Sequence, residues 1–112
     1  MARLAASLLV NALVRRVNAA GGSAMVLAKG DAEAGAILVL ALERGGDPGF
    51  FERGIGPDGT PALVRSGPAE FADAAAVWDY WQRRRSRDSD LWVVELDIAG
   101  AERFAAETLA TG

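Results

Sequence analysis

The chain is expected to fold as a single α+β domain with a largely antiparallel sheet of about five strands. Three observations lead there. Its 112 residues match the size of one ordinary domain and leave no room for two cores. Hydrophobic residues make up 51% and charged residues 24%, the balance of a chain that folds around a core rather than staying disordered. Helical and strand-like periodicities are mixed along it, with helical stretches at the start, before the last strand and at the end. No repeat, linker or low-complexity segment divides residues 1–112.

Residues 3–20 have helical period: Ala6, Leu9, Val10, Leu13 and Val17 fall on one side, and Arg3, Ser7, Asn11 and Asn18 on the other. Leu4 and Leu8 lie at the flanks, and Gly21-Gly22 supply a left-handed stop. The apolar run behind Arg3 is expected to be an ordinary helix rather than a secretory leader, because Asn11 and the pair Arg15-Arg16 interrupt it. No stretch approaches the ~20 apolar residues that span a bilayer.

Two nearly continuous apolar runs follow, residues 24–29 and 36–43, and both suit central strands covered on two faces, or on one face with an oligomer partner on the other. The loop between them, Gly30-Asp31-Ala32-Glu33-Ala34-Gly35, has glycine at each end and predicts a hairpin. It has the first spacing of a phosphate loop, but Ala36-Ile37 replace the Lys and hydroxyl that such a loop needs. A weaker strand over residues 50–55 and another over 62–65 flank Pro57-Asp58-Gly59-Thr60. There Pro presets φ, Asp bonds the backbone and Gly takes the left-handed position. These four strands predict an antiparallel meander.

Ser66-Gly67-Pro68 reads as the approach to a long helix that ends near Arg87, with Glu70 and Asp73 favouring its N-terminal dipole. Phe71, Ala74, Trp78 and Trp81 form its expected packing stripe, while Tyr80 projects from nearly the opposite side among Asp73, Arg83 and Arg84. In residues 91–98, Trp92, Val94, Leu96 and Ile98 alternate with Leu91, Val93, Glu95 and Asp97, which is the period of a strand. The Trp92 face is expected to meet helices, and Glu95 and Asp97 to reach solvent or a cleft. A short helix over 101–109 closes the chain.

At Gly30-Asp31, Ala34-Gly35-Ala36-Ile37 and above all Asp88-Ser89-Asp90-Leu91-Trp92-Val93-Val94-Glu95, the chain resembles a family of short bacterial proteins known as domain of unknown function 1491. The similarity spans nearly the whole chain. Members share the opening helix, the Gly-Asp hairpin turn and a basic helix that runs into an Asp-x-Asp-Leu-Trp-Val-Val-Glu strand. Arg87 and Ser89 stand where the family more often has an aromatic residue and Pro, which implies a looser approach to that strand. The resemblance implies a one-domain α+β fold and a bacterial cytosol, and it supplies no activity or ligand.

Composition excludes several chemistries. The chain has no Cys and no His, so thiolate nucleophiles, disulfides, imidazole bases and the usual zinc and iron–sulfur ligand sets are all missing. A cytoplasmic location with no membrane association is expected. The formal charge of −3 argues against a global grip on nucleic acid. Locally, Tyr80, Arg83, Arg84 and Arg87 form a candidate anion site, fit for a phosphate-bearing small molecule or nucleic acid. Against that, Asp79, Asp88 and Asp90 are available to pair with these guanidiniums. Asp88, Asp90, Glu95 and Asp97, with Asp31 and Glu33, offer the alternative of a metal-dependent or carboxylate-based hydrolase. No catalytic, cofactor or metal-binding set is assigned. The expected function is a non-enzymatic binding or interaction protein, and the apolar excess for so small a chain predicts a homodimer, with a structural homodimeric module as a further alternative.

Overall fold

The computed structural model describes residues 4–43 and 46–110. Arg3, where the first periodicity opens, lies outside them. Eight elements follow in order: α1 (Ala6–Ala19), β1 (Ser23–Ala28), β2 (Ile37–Leu42), β3 (Gly49–Ile55), β4 (Pro61–Ser66), α2 (Ala74–Arg87), β5 (Trp92–Asp97) and α3 (Ala101–Leu109). The α+β expectation holds, with a five-stranded sheet in the order β1-β5-β2-β3-β4.

The sheet separates two apolar layers. On one face, Ala6, Val10, Leu13 and Val17 of α1 and Ala101, Ala105 and Leu109 of α3 pack on Val39, Ala41, Phe51, Trp92, Val94 and Leu96. Arg16 ties the two helices together, donating to Glu107 Oε1 at 2.8 Å and to Thr108 Oγ1 at 2.6 Å. On the other face, Trp81, Val77, Tyr80 and the preceding Phe71 pack on Leu38, Leu40, Phe50, Leu91 and Val93. Strand alternation accounts for the split, since neighbouring residues of β2 and β5 point to opposite layers.

Only part of the expected meander forms. β2, β3 and β4 are consecutive antiparallel neighbours. Their last turn follows the sequence: Gly59 has φ +82°, and the Asp58 carboxylate accepts from the Thr60 amide and hydroxyl. The β1–β2 hairpin does not form. Instead β5 lies between them, antiparallel to β1 and parallel to β2. β1 is therefore an edge strand, with Met25 and Val26 exposed, rather than a central one.

Gly30 and Gly35 serve a different purpose from a hairpin reversal. Both have ordinary φ, and a Cβ on either would overlap the Asp90 carbonyl oxygen. The loop thus closes over the chain as it enters β5. Asp31 N donates to Asp90 O at 3.0 Å, Trp92 N donates to Ala36 O at 2.8 Å, and the Trp92 indole donates to Asp31 O at 2.7 Å. The segments that carry the family resemblance meet at this junction. On the approach to β5, where Arg87 and Ser89 stand, Arg85 donates to the carbonyls of Ser89 and Leu91, and Asp88 accepts from the Asp90 amide.

α2 starts later than expected. Asp73 is its N-cap, accepting from Ala76 N at 2.8 Å, and residues 67–73 precede the helix. With that start, Val77, Tyr80, Trp81 and Arg84 turn to the sheet. Trp81 is buried, but Trp78 is 53% exposed and Ala74 is exposed as well, so the expected stripe of Phe71, Ala74, Trp78 and Trp81 is corrected at both positions. Tyr80 is corrected too. Its ring lies 4.7 Å from that of Phe50, half-buried, with its hydroxyl reaching Ser66 at 2.8 Å.

Candidate binding groove

α2 covers only part of its sheet face. The rest is a groove of about 530 Å³. Its floor is Leu27 of β1, Leu40 and Leu42 of β2 and Glu95 of β5; its wall is Phe71, Val77, Trp78 and Trp81; and Asp47, Pro48 and Asp73 stand at its rim. The twofold period of β5 puts Glu95 on this face, because Trp92, Val94 and Leu96 fill the other layer. Met25 and Leu40 are the register partners of Glu95 on either side, so the carboxylate sits between two apolar side chains. Glu95 is half-buried and has no ion pair or hydrogen bond among the described residues. The sequence-based expectation that Glu95 would reach a cleft matches this position.

Trp78 stands on the wall with its ring edge-to-face against Trp81, at 4.6 Å between centroids. Trp81 anchors the pair in the core, and Trp78 presents the remainder to solvent. Met25, 57% exposed, continues the apolar floor to the sheet edge.

The residues proposed for anion binding divide. Arg84 crosses from α2 to β3 and grips Glu52 in a fork, Nη1 to Oε2 at 2.8 Å and Nη2 to Oε1 at 3.2 Å. The same Nη1 donates to Ser66 Oγ at 3.0 Å and to the Tyr80 hydroxyl at 3.3 Å. Hydrogen bonding to Arg84, and to Ser66 more weakly, holds the Glu52 carboxyl below its usual range against the opposing effect of burial. The Glu52 hydrogen bond likewise pushes the Arg84 guanidinium up. Tyr80 and Arg84 are therefore brought together, with a carboxylate between the elements they join. Arg83 and Arg87 are exposed on the same helix, without a side-chain partner among the described residues.

The acidic cluster disperses. Asp31 is turned into its own loop, accepting from the amides of Glu33 and Ala34. Asp88 accepts from Asp90 N at 3.1 Å, and Asp97 lies at the far end of β5 beside Ser23 and Leu42. Among the described residues, no group of three or more acidic side chains is placed to hold a metal ion, and no helix is long and apolar enough to cross a membrane. A second cavity, of about 510 Å³, opens on the other face between Leu4, Leu9, Ile37, Ile55, Pro61 and Leu109. It is flanked by both ends of the described chain.

Fold and groove together define a small α+β domain with an apolar, acid-floored cleft on one face of its sheet. The chain belongs to the family described as "Protein of unknown function (DUF1491)", whose model matches residues 4–106. A crystal structure of a DUF1491 family protein from Caulobacter crescentus CB15 is similar at 33% identity and a TM-score of 0.78, covering 91% of this chain and 94% of that one. An NMR structure of a DUF1491 family protein from the same organism is similar at 32% identity and a TM-score of 0.77, covering 100% of both chains. A solution structure of a protein from A. tumefaciens is similar at 32% identity and a TM-score of 0.64, over 86% of each chain. Among curated proteins nothing matches the chain.

Proposed function

We propose that this protein is a non-enzymatic interaction protein and that its binding surface is the groove between α2 and the β1–β5–β2 part of the sheet. The observation that carries this reading is Trp78, more than half exposed on the groove wall while braced against buried Trp81. About 100 Å² of indole is left to bury, worth roughly 2–3 kcal/mol at ~25 cal/mol per Å². Rigid aromatic groups in this setting are typical anchors of protein interfaces. The missing His and Cys and the scattered carboxylates favour binding over catalysis.

The test is a titration with Nile red, a neutral apolar probe. The parent is expected to bind it saturably, and Trp78→Ala to weaken binding about tenfold with little change in melting temperature, because the side chain lies outside the core. Equal binding by parent and variant would remove the groove from the account.

β1 favours a second reading, self-association. Among the described residues no strand pairs with its outer edge, where only Ala24 N finds a side-chain acceptor, Asn18 Oδ1; no charged residue interrupts residues 23–28, and Met25 and Val26 are exposed. Pairing of two β1 edges would join two sheets into one. Sedimentation at micromolar concentration is expected to give a dimer mass that Val26→Lys converts to a monomer; a monomeric parent would end this reading. The anion reading rests on Arg83 and Arg87, with Arg84 already held by Glu52, and has less support than the groove. Its test is binding of single-stranded nucleic acid at two salt concentrations by the parent and by an Arg83→Ala, Arg87→Ala variant. Saturable, salt-sensitive binding lost in the variant would restore it.

A further inference from the structure

We infer that the occupant of the groove is a basic amphipathic protein segment, whose apolar side chains lie against Trp78 and the leucine floor while a Lys or Arg pairs with Glu95. This inference rests on the groove being the binding surface. Its basis is charge complementarity. Glu95, Asp73 and Asp47 line or rim the groove, and no Lys or Arg is among its described lining residues. Asp73 stands at the rim while capping α2, its carboxylate accepting from Ala76 N at 2.8 Å.

Glu95 decides the sign of the occupant. A purely apolar segment seated here would bury its carboxylate between Met25 and Leu40 without a partner, and burying an unpaired charge opposes binding. An acidic segment would add repulsion to that. A cation delivered on an apolar segment meets both needs, and its aliphatic stem lies along the leucines. The exposed face of Trp78 offers a second place for a guanidinium or ammonium group. An amphipathic helix laid in an apolar groove is a recurrent way of meeting such a surface. The apolar floor continuing to the sheet edge at Met25 leaves the groove open along one side, so a helix can enter it lengthwise.

The experiment uses the whole chain and two synthetic amphipathic helices of about 14 residues, one of Leu and Lys and one of Leu and Glu with the same apolar pattern. Calorimetry is run on the parent, Trp78→Ala, Glu95→Gln, Glu95→Lys and Glu102→Gln. Glu102 is exposed in the first turn of α3, in the layer opposite α2, so Glu102→Gln makes the same charge change away from the groove.

The parent is expected to bind the Leu/Lys peptide saturably and at least tenfold more tightly than the Leu/Glu peptide. Glu95→Gln should cost about tenfold for Leu/Lys alone, Glu95→Lys should reverse the preference, and Glu102→Gln should do neither. Trp78→Ala should weaken both peptides. Equal binding of the two peptides, or equal effects of Glu95→Gln and Glu102→Gln, would overturn the basic occupant; a retained Trp78→Ala loss would leave the groove standing. Binding of neither peptide, or binding indifferent to Trp78, would overturn both.

Discussion

Glu52 and Arg84 are 32 residues apart and share two hydrogen bonds across the space between α2 and β3. Ser66 and Tyr80 complete the network, so a change at any of these positions leaves polar atoms of the others short of a partner. Glu52→Gln is expected to cost about 1–2 kcal/mol at neutral pH, a figure reduced for the partial exposure of the pair. The pH dependence follows from the lowered Glu52 pKa. Its stabilisation is fully present above the ordinary value of 4.5 and is lost as pH falls through the lower folded-state value. Denaturant melts of parent and variant should therefore converge in acid; a constant gap would show that Glu52 acts through packing alone. Such a partner was not legible in the sequence, where Asp79, Asp88 and Asp90 were the nearer candidates for the arginines. Trp92 was legible, because strict alternation places it on the buried face. At 5% exposure, with its indole bonded to Asp31 O, Trp92→Ala should cost on the order of 3–5 kcal/mol by chemical denaturation, and a variant as stable as the parent would contradict its core position.

Elements built from local signals were the ones the sequence made plain. The Pro-Asp-Gly turn, the alternating β5 and the helix over Ala101–Leu109 each follow from a few neighbouring residues. The β1–β2 connection was misread because glycine at both ends suits a hairpin and a close backbone crossing equally. Only the position of β5, which arrives more than 50 residues after Ala36, separates the two. The α2 stripe was misread for a related reason: two arcs of that helix are apolar, and the sheet selects the one that gives the Tyr80 hydroxyl its partners. The crossing has a measurable consequence. Gly35→Ala should lower stability by roughly 2–3 kcal/mol, since its Cβ meets a backbone carbonyl that has no rotamer to change. Gly59→Ala, with a positive φ but open space around it, should cost only about 1 kcal/mol. Equal costs in thermal melts would mean that the crossing yields to a Cβ and that the close approach to Asp90 does not set the need for glycine at position 35.

At the scale of the molecule, one sheet face is covered by two helices and the other by a single helix that leaves a groove beside it. Composition pointed to the surplus of apolar surface, but its location depends on which strands lie at the centre and which face α2 covers. Both are set by long-range pairing. Alternation along β5 marks Glu95, with Asp97, for solvent or a cleft, and Glu95 is the one that lines the groove; Trp78 falls on the helical aromatic stripe that ordinarily belongs to the core. The central claim is that this groove takes up a basic amphipathic segment, and chemical-shift mapping of the isotope-labelled protein during titration with the Leu/Lys peptide tests it most directly. Saturable shifts confined to the groove, at Met25, Leu27, Leu40, Trp78, Trp81 and Glu95, are expected, with the Trp78 indole N–H among the largest. Shifts centred on α1, α3 or β4, or none at concentrations where the peptide is in excess, would contradict it.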